Sequence, residues 1–179
     1  MKILAVVGPG GSGKTTLIER LVAELRKRGL SVAVIKHCSR GFDIDHPGKD
    51  SWRFRGAGAN GVGLVSPGEA VTVRWKTGES GDAGLAAASF GDMDVVLIEG
   101  RCIDRDIPKL ELLRKGVAEE LTTPLAELVG VVSDFEVKLE KPIFGFPDIK
   151  EIADLVERKT PEPTRPGRTA ARRKRKPRK

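Results

Sequence analysis

Short, wholly apolar runs alternate along this chain with stretches in which apolar residues recur every three or four positions, a pattern that predicts an α/β fold. Ile3-Leu4-Ala5-Val6-Val7 places a first strand over 2–8, and Leu17, Ile18, Leu21, Val22 and Leu25 then place a helix from Lys14 to about Arg28. Gly29 stops that helix behind Arg26, Lys27 and Arg28, three cations at its negative end. The β-branched run from Leu30 to Lys36 is a second strand, parallel to the first through a right-handed crossover. A polar loop from Cys38 to Lys49 leads into a short helix over 50–55. Gly61 to Val65 and Ala70 to Trp75 are two strands joined by the turn Ser66-Pro67-Gly68-Glu69. An Ala-rich helix over 82–90 precedes Val95-Val96-Leu97-Ile98, which is apolar at every position, as a strand buried on both faces must be. Lys109 to Leu113 and Leu128 to Val132 are further strands, and Ile149, Ile152, Ala153, Leu155 and Val156 mark a last helix over 148–158.

Between the first strand and its helix stands Gly8-Pro9-Gly10-Gly11-Ser12-Gly13-Lys14-Thr15, which fulfils G-x-x-x-x-G-K-S/T in the strand–turn–helix context that a P-loop requires. Glycines let the backbone N–H groups of Gly10, Gly11, Ser12, Gly13, Lys14, Thr15 and Thr16 turn inward toward phosphate oxygens, at the positive end of the helix dipole. Lys14 is placed to reach the β- and γ-phosphates and Thr15 to hold Mg²⁺. The predicted architecture is a P-loop NTPase, three layers α/β/α around a mostly parallel sheet, with an antiparallel hairpin or edge segment.

Such a site needs a carboxylate at the end of a neighbouring strand. Glu99 closes the apolar run 95–98 on the carboxyl side, where ligands of open α/β sheets lie, whereas Asp94 stands at the far end, so Glu99 is the expected metal-side and catalytic carboxylate with Lys14. The loop after the second strand occupies a similar position. It offers Asp43 and Asp45 to Mg²⁺ or its waters, and Lys36, His37 and Lys49 to phosphate; Arg53 and Arg55 follow on the short helix. Asp134, at the end of another strand, has the chemistry to accept the N1 and N2 protons of guanine, which would favour GTP over ATP.

Charge and composition narrow the picture. The 179 residues carry a net charge of +7 and are 39% hydrophobic, and no apolar run approaches a membrane span. The excess charge sits in one place: residues 160–179 hold nine Arg and Lys against Glu162, so the remainder is close to neutral. The reading is therefore one nucleotide-binding domain over 1–158 and a disordered basic tail over 159–179, whose electrostatics suit nucleic acid or an acidic protein surface. The apolar N-terminal run is too short for a signal peptide and leads straight into the P-loop, which points to the cytoplasm. Cys38 and Cys102 lack C-x-x-C spacing and read as free thiols; Cys38 beside His37 and near His46 has the ligand types of a soft-metal site without the spaced pairs.

Taken with Val34-Ile35-Lys36-His37, the run from Phe42 through Asp43-Ile44-Asp45-His46-Pro47-Gly48-Lys49-Asp50-Ser51-Trp52-Arg53, Leu97-Ile98-Glu99-Gly100, Pro108-Lys109-Leu110-Glu111 and Val132-Ser133-Asp134, the P-loop resembles that of the molybdopterin-guanine dinucleotide biosynthesis protein B (MobB) family over roughly residues 1–158. The resemblance implies a dimeric protein that binds GTP with Mg²⁺, hydrolyses it weakly, and assists the guanylyltransferase that joins GMP to molybdopterin. It also implies that residues from Lys36 to Arg55, among them His37, Lys49 and Arg53, shape a surface facing the molybdopterin. Cys38 departs from the polar residue relatives often carry there, and the tail has no counterpart in the family pattern. Pro9 stands where partitioning-type ATPases place a second lysine, which separates the chain from them. Two alternatives stay open: an ATP-dependent small-molecule kinase or ligase of dethiobiotin-synthetase type, for which Arg101, Arg105 and Lys109 are the nearest lid-like cations, and a metal-delivery GTPase, kept open by His37 and Cys38.

Overall fold

The computed structural model describes residues 1–42, 45–75 and 81–159. Asp43 and the basic segment from 160 onward lie outside them. Six strands make one wholly parallel sheet: β1 (Lys2–Val7), β2 (Val32–Lys36), β5 (Val95–Glu99), β6 (Lys109–Leu113), β7 (Leu128–Ser133) and β8 (Ile143–Phe144), in the order β2-β5-β1-β6-β7-β8. The expected strands and helices are all present, with ends moved by a residue or two. The first two strands run parallel, but β5 lies between them, and its five residues are buried on both faces. β8 has no counterpart in the sequence reading, because two residues are too few to show a period.

One face is covered by α1 (Lys14–Lys27) and α4 (Ile149–Lys159). Leu17, Leu21 and Leu25 of α1, with Ile152 and Val156 of α4, close over Leu4, Val6, Leu97, Leu110 and Leu112. Burying each such side chain stabilises the fold by about 1.5–3 kcal/mol before entropy is counted. Arg28, just past α1, ties the two helices together. It donates to Asp154 at 2.6 Å, Glu157 at 2.7 Å, Glu24 at 3.1 Å and the Lys150 carbonyl at 3.0 Å.

The opposite face is covered more thinly. α3 (Asp82–Phe90) lays Ala86 against Ala5, Val96 and Ile98, covering β1 and β5. Over β6 and β7 the cover is loop, with Leu121, Phe135, Val137 and Leu139 packed on Leu113, Leu128 and Val131. α2 (Asp50–Gly56), which buries no residue, leads into β3 (Gly61–Ser66) and β4 (Glu69–Arg74), an antiparallel hairpin that forms a sheet of its own. No helix among the described residues is long and apolar enough to cross a membrane.

Candidate functional site

The parallel sheet brings the carboxyl ends of β1, β2 and β5 together, and the candidate site grows out of them. The loop 8–13 takes positive φ at Gly8 (137°), Gly11 (78°) and Gly13 (97°), a path open only to glycine at that density. An added Cβ on Gly13 would lie 3.1 Å from the ring of Phe146 and 3.2 Å from Arg114 Nη1, so both side chains would have to give by a few tenths of an ångström. Ser12 is fully buried and its hydroxyl donates to the Pro9 carbonyl at 3.0 Å, pinning the loop across its width. Lys14 Nζ donates to the carbonyls of Gly8 at 2.8 Å and Pro9 at 2.6 Å, so the ammonium closes the ring that the backbone begins. Burial draws its pKa below the usual lysine value; Glu99 opposes that shift and Lys36 adds to it. Gly10, Gly11 and Thr16 are exposed around this ring, Thr16 in the first turn of α1.

Glu99 is where the strand-end argument puts it. Its buried carboxylate accepts the Thr15 hydroxyl at 2.6 Å and lies 3.4 Å from Lys36 Nζ, which the register Lys36↔Glu99 places alongside. Asp94, at the other end of β5, is taken by Ser31: its Oδ2 accepts the backbone N–H and the hydroxyl, both at 2.8 Å, and these bonds hold its pKa low. A hydroxyl and a carboxylate side by side beneath a phosphate cradle are the hard oxygen donors Mg²⁺ takes alongside phosphate and water. The residues present fit that ion. Asp45 accepts the His46 N–H on Oδ1 at 2.9 Å, while Oδ2 is shielded from solvent and has no hydrogen-bond partner among the described residues.

The other expected residues are placed less centrally. His37 turns toward α3, its Nε2 2.5 Å from Oδ1 of buried Asp82. Lys49 occupies the N-cap position of α2 without a side-chain capping bond, and Arg53, exposed in that helix, pairs with Asp50 at 3.5 Å. Among the described residues neither side chain contacts the P-loop. Cys38 is exposed, and among the described residues no group of three His, Cys, Asp or Glu is placed to hold a metal. The Cys102 thiol is pushed up to about 12 by burial and by Asp82. Asp134 accepts the Lys115 N–H at 2.8 Å and lies 3.8 Å from Arg114 Nε.

Arg114 and Phe146 were missed by the sequence reading. The guanidinium lies over the ring at 5.5 Å, and together they wall the exit of the P-loop beside Asp134. The available signal for Arg114 was its position directly after β6; Phe146 follows β8, the strand too short to read.

The chain matches known proteins along most of its length. The profile of the family described as Molybdopterin guanine dinucleotide synthesis protein B fits residues 3–134. A molybdopterin-guanine dinucleotide biosynthesis adapter protein of Haemophilus influenzae is 34% identical over 161 residues, covering 87% of each chain. Its namesake in Escherichia coli is 32% identical over 161 residues, covering 86% of this chain and 90% of the other. Among solved structures, MobB of Bacillus subtilis superposes with a TM-score of 0.69 at 25% identity, over 87% of this chain and 98% of that one.

Proposed function

Because the chain belongs to the MobB family, we propose that it serves molybdenum cofactor biosynthesis as a GTP-binding adaptor for the enzyme that attaches GMP to molybdopterin. The observation that carries the nucleotide part is the Thr15 hydroxyl 2.6 Å from the Glu99 carboxylate, at the mouth of a P-loop whose lysine already faces inward. In this reading the backbone N–H groups of 10–16 hold the phosphates, Lys14 neutralises their charge, and Thr15 and Glu99 hold Mg²⁺. Bound Mg²⁺ would supply charge neutralisation between the outer phosphates. Hydrolysis is slow in this proposal, since water has no glutamine to orient it: the chain contains none. In the same reading Asp134 and Arg114, 3.8 Å apart, would meet the base, because a carboxylate and a guanidinium both match guanine edges and not those of adenine.

A homodimer belongs to the same proposal. An isolated two-stranded hairpin is marginal in water, and β3 and β4 expose Leu64 (53%), Val65 (85%) and Val71 (44%), which a second copy would cover. The setting proposed is the cytoplasm. Calorimetric titration with GTP and with ATP, each with Mg²⁺, tests the reading beside a Lys14→Ala control. Tight GTP binding, weak ATP binding and loss in the variant support it; preference for ATP would transfer the weight to the kinase or ligase class.

A further inference from the structure

β6 is an interior strand, yet two of its five buried positions carry charge. Lys109 and Glu111 alternate along it and so share the thinly covered face. Glu111, fully buried, accepts the Thr122 N–H at 2.8 Å, the Thr122 hydroxyl at 2.5 Å and the Thr123 N–H at 3.0 Å. Lys109 donates to Glu127 at 2.6 Å and to the carbonyls of Asp104 at 2.9 Å and Ile107 at 3.3 Å. Buried charges are a poor way to gain stability and a good way to fix geometry. Here Glu111 holds the start of the loop 122–127, and Lys109 joins its end at Glu127 to the carbonyls of the 104–107 turn.

The space that loop encloses is a pocket of about 800 Å³, within the range of small-molecule sites. It opens directly beside the first residues of the P-loop, with Val7, Pro9, Val117 and Ala118 as apolar walls. Arg101 and Glu120 line it too; both are exposed and neither has a hydrogen-bond or ion-pair partner among the described residues. Apolar walls, one unpaired cation, the unpaired carboxylate of Glu120 and beside it Glu119, which accepts the Gly116 N–H, suit a ligand that is flat, rich in N–H groups along one edge, and anionic at the other end.

We propose that this pocket seats a pterin carrying a phosphate monoester, its ring between Pro9 and Val117, its N–H edge on Glu120 and its phosphate on Arg101, next to the nucleotide. The inference rests on the adaptor reading and relocates the second ligand: it assigns that ligand to the pocket lined by Arg101 and Glu120 and not to Lys36, Lys49 and Arg53. Adaptor and guanylyltransferase would then meet a molecule already held in line with GTP.

The experiment uses the intrinsic fluorescence polarisation of 6-hydroxymethylpterin phosphate, with unphosphorylated 6-hydroxymethylpterin as a second probe. The full chain is compared with Arg101→Ala, Ala118→Trp and the double variant Lys49→Ala/Arg53→Ala, and GTP affinity is titrated in parallel. The phosphorylated probe is expected to bind about tenfold or more weakly to Arg101→Ala and Ala118→Trp, with the double variant and GTP affinity unchanged. The unphosphorylated probe should lose binding to Ala118→Trp and be indifferent to Arg101→Ala. Binding that survives both pocket variants, or that is lost in the double variant alone, overturns the proposal. So does a wild-type protein that binds GTP but neither pterin, an outcome that leaves the adaptor reading standing; loss of GTP binding by the wild type would instead remove the adaptor reading itself. Arg101 is exposed, so its truncation tests the site even if Ala118→Trp fails to fold.

Discussion

Replacing Glu111 with leucine is the sharpest test of how this protein holds its thin face. The substitution removes three accepted hydrogen bonds, two on Oε1 from Thr122 and one on Oε2 from Thr123. At about 1–1.5 kcal/mol net for each, the loss is roughly 3–4.5 kcal/mol. Thr122 is exposed, so its freed donors can reach water if the loop lifts, and the expected cost settles at about 3 kcal/mol. For a chain of this size that corresponds to a fall in Tm of about 6–12 °C. Glu111→Gln keeps an oxygen for both Thr122 donors but turns an amide N–H₂ toward the Thr123 N–H, so its cost should be smaller, about 1–2 kcal/mol. Urea unfolding followed by far-UV circular dichroism measures both. A leucine variant within about 1 kcal/mol of wild type would refute the view that this carboxylate anchors the loop.

Gly13→Ala should abolish GTP binding and cost about 1–3 kcal/mol, because φ 97° strains any Cβ and Phe146 and Arg114 would have to shift to admit one; a calorimetric titration that still shows wild-type affinity would contradict this. If Arg114 meets the base as proposed, Arg114→Ala should weaken GTP binding while leaving inorganic tripolyphosphate binding intact; equal losses would place it on the phosphates. With its pKa near 12, Cys102 should alkylate far more slowly than exposed Cys38 at pH 8, and Asp82→Asn should speed it by removing the neighbouring charge. The folded state favours the neutral thiol, so this contribution to stability is complete below about pH 9 and is lost as pH rises toward 12. Arg28→Ala should cost about 1 kcal/mol in low salt, with a gap to wild type that narrows in high salt; a salt-independent difference would mean that packing, not charge, joins α1 to α4.

What could be read beforehand was whatever local pattern encodes. The strand–glycine–helix sequence fixed the P-loop without any tertiary information, and Glu99 followed from the rule that ligands gather at the carboxyl ends of parallel strands. His37 shows where that rule stops: it stands at such an end, yet its ring turns to Asp82, which lies 45 residues on and whose proximity no pattern announces. Arg114 and Phe146 come together only because β7 and β8 stack beside β6. Lys109 and Glu111 illustrate the same limit, since alternating charge and leucine on a strand normally means one wet face. Here the face is dry, and only the folded loop explains why.

The placement of β1 also sets a timetable. Its partners are β5 and β6, so Lys2 waits for Val95 and Ala5 for Lys109. At about 5–20 residues per second, a ribosome needs on the order of ten seconds to deliver them. Throughout that interval the apolar first strand is without its sheet, while the β3–β4 hairpin, whose pairing is local, can already close. The nascent chain therefore carries its phosphate-binding loop long before it carries a phosphate-binding site, and chaperone dependence during synthesis should fall away once β6 has emerged.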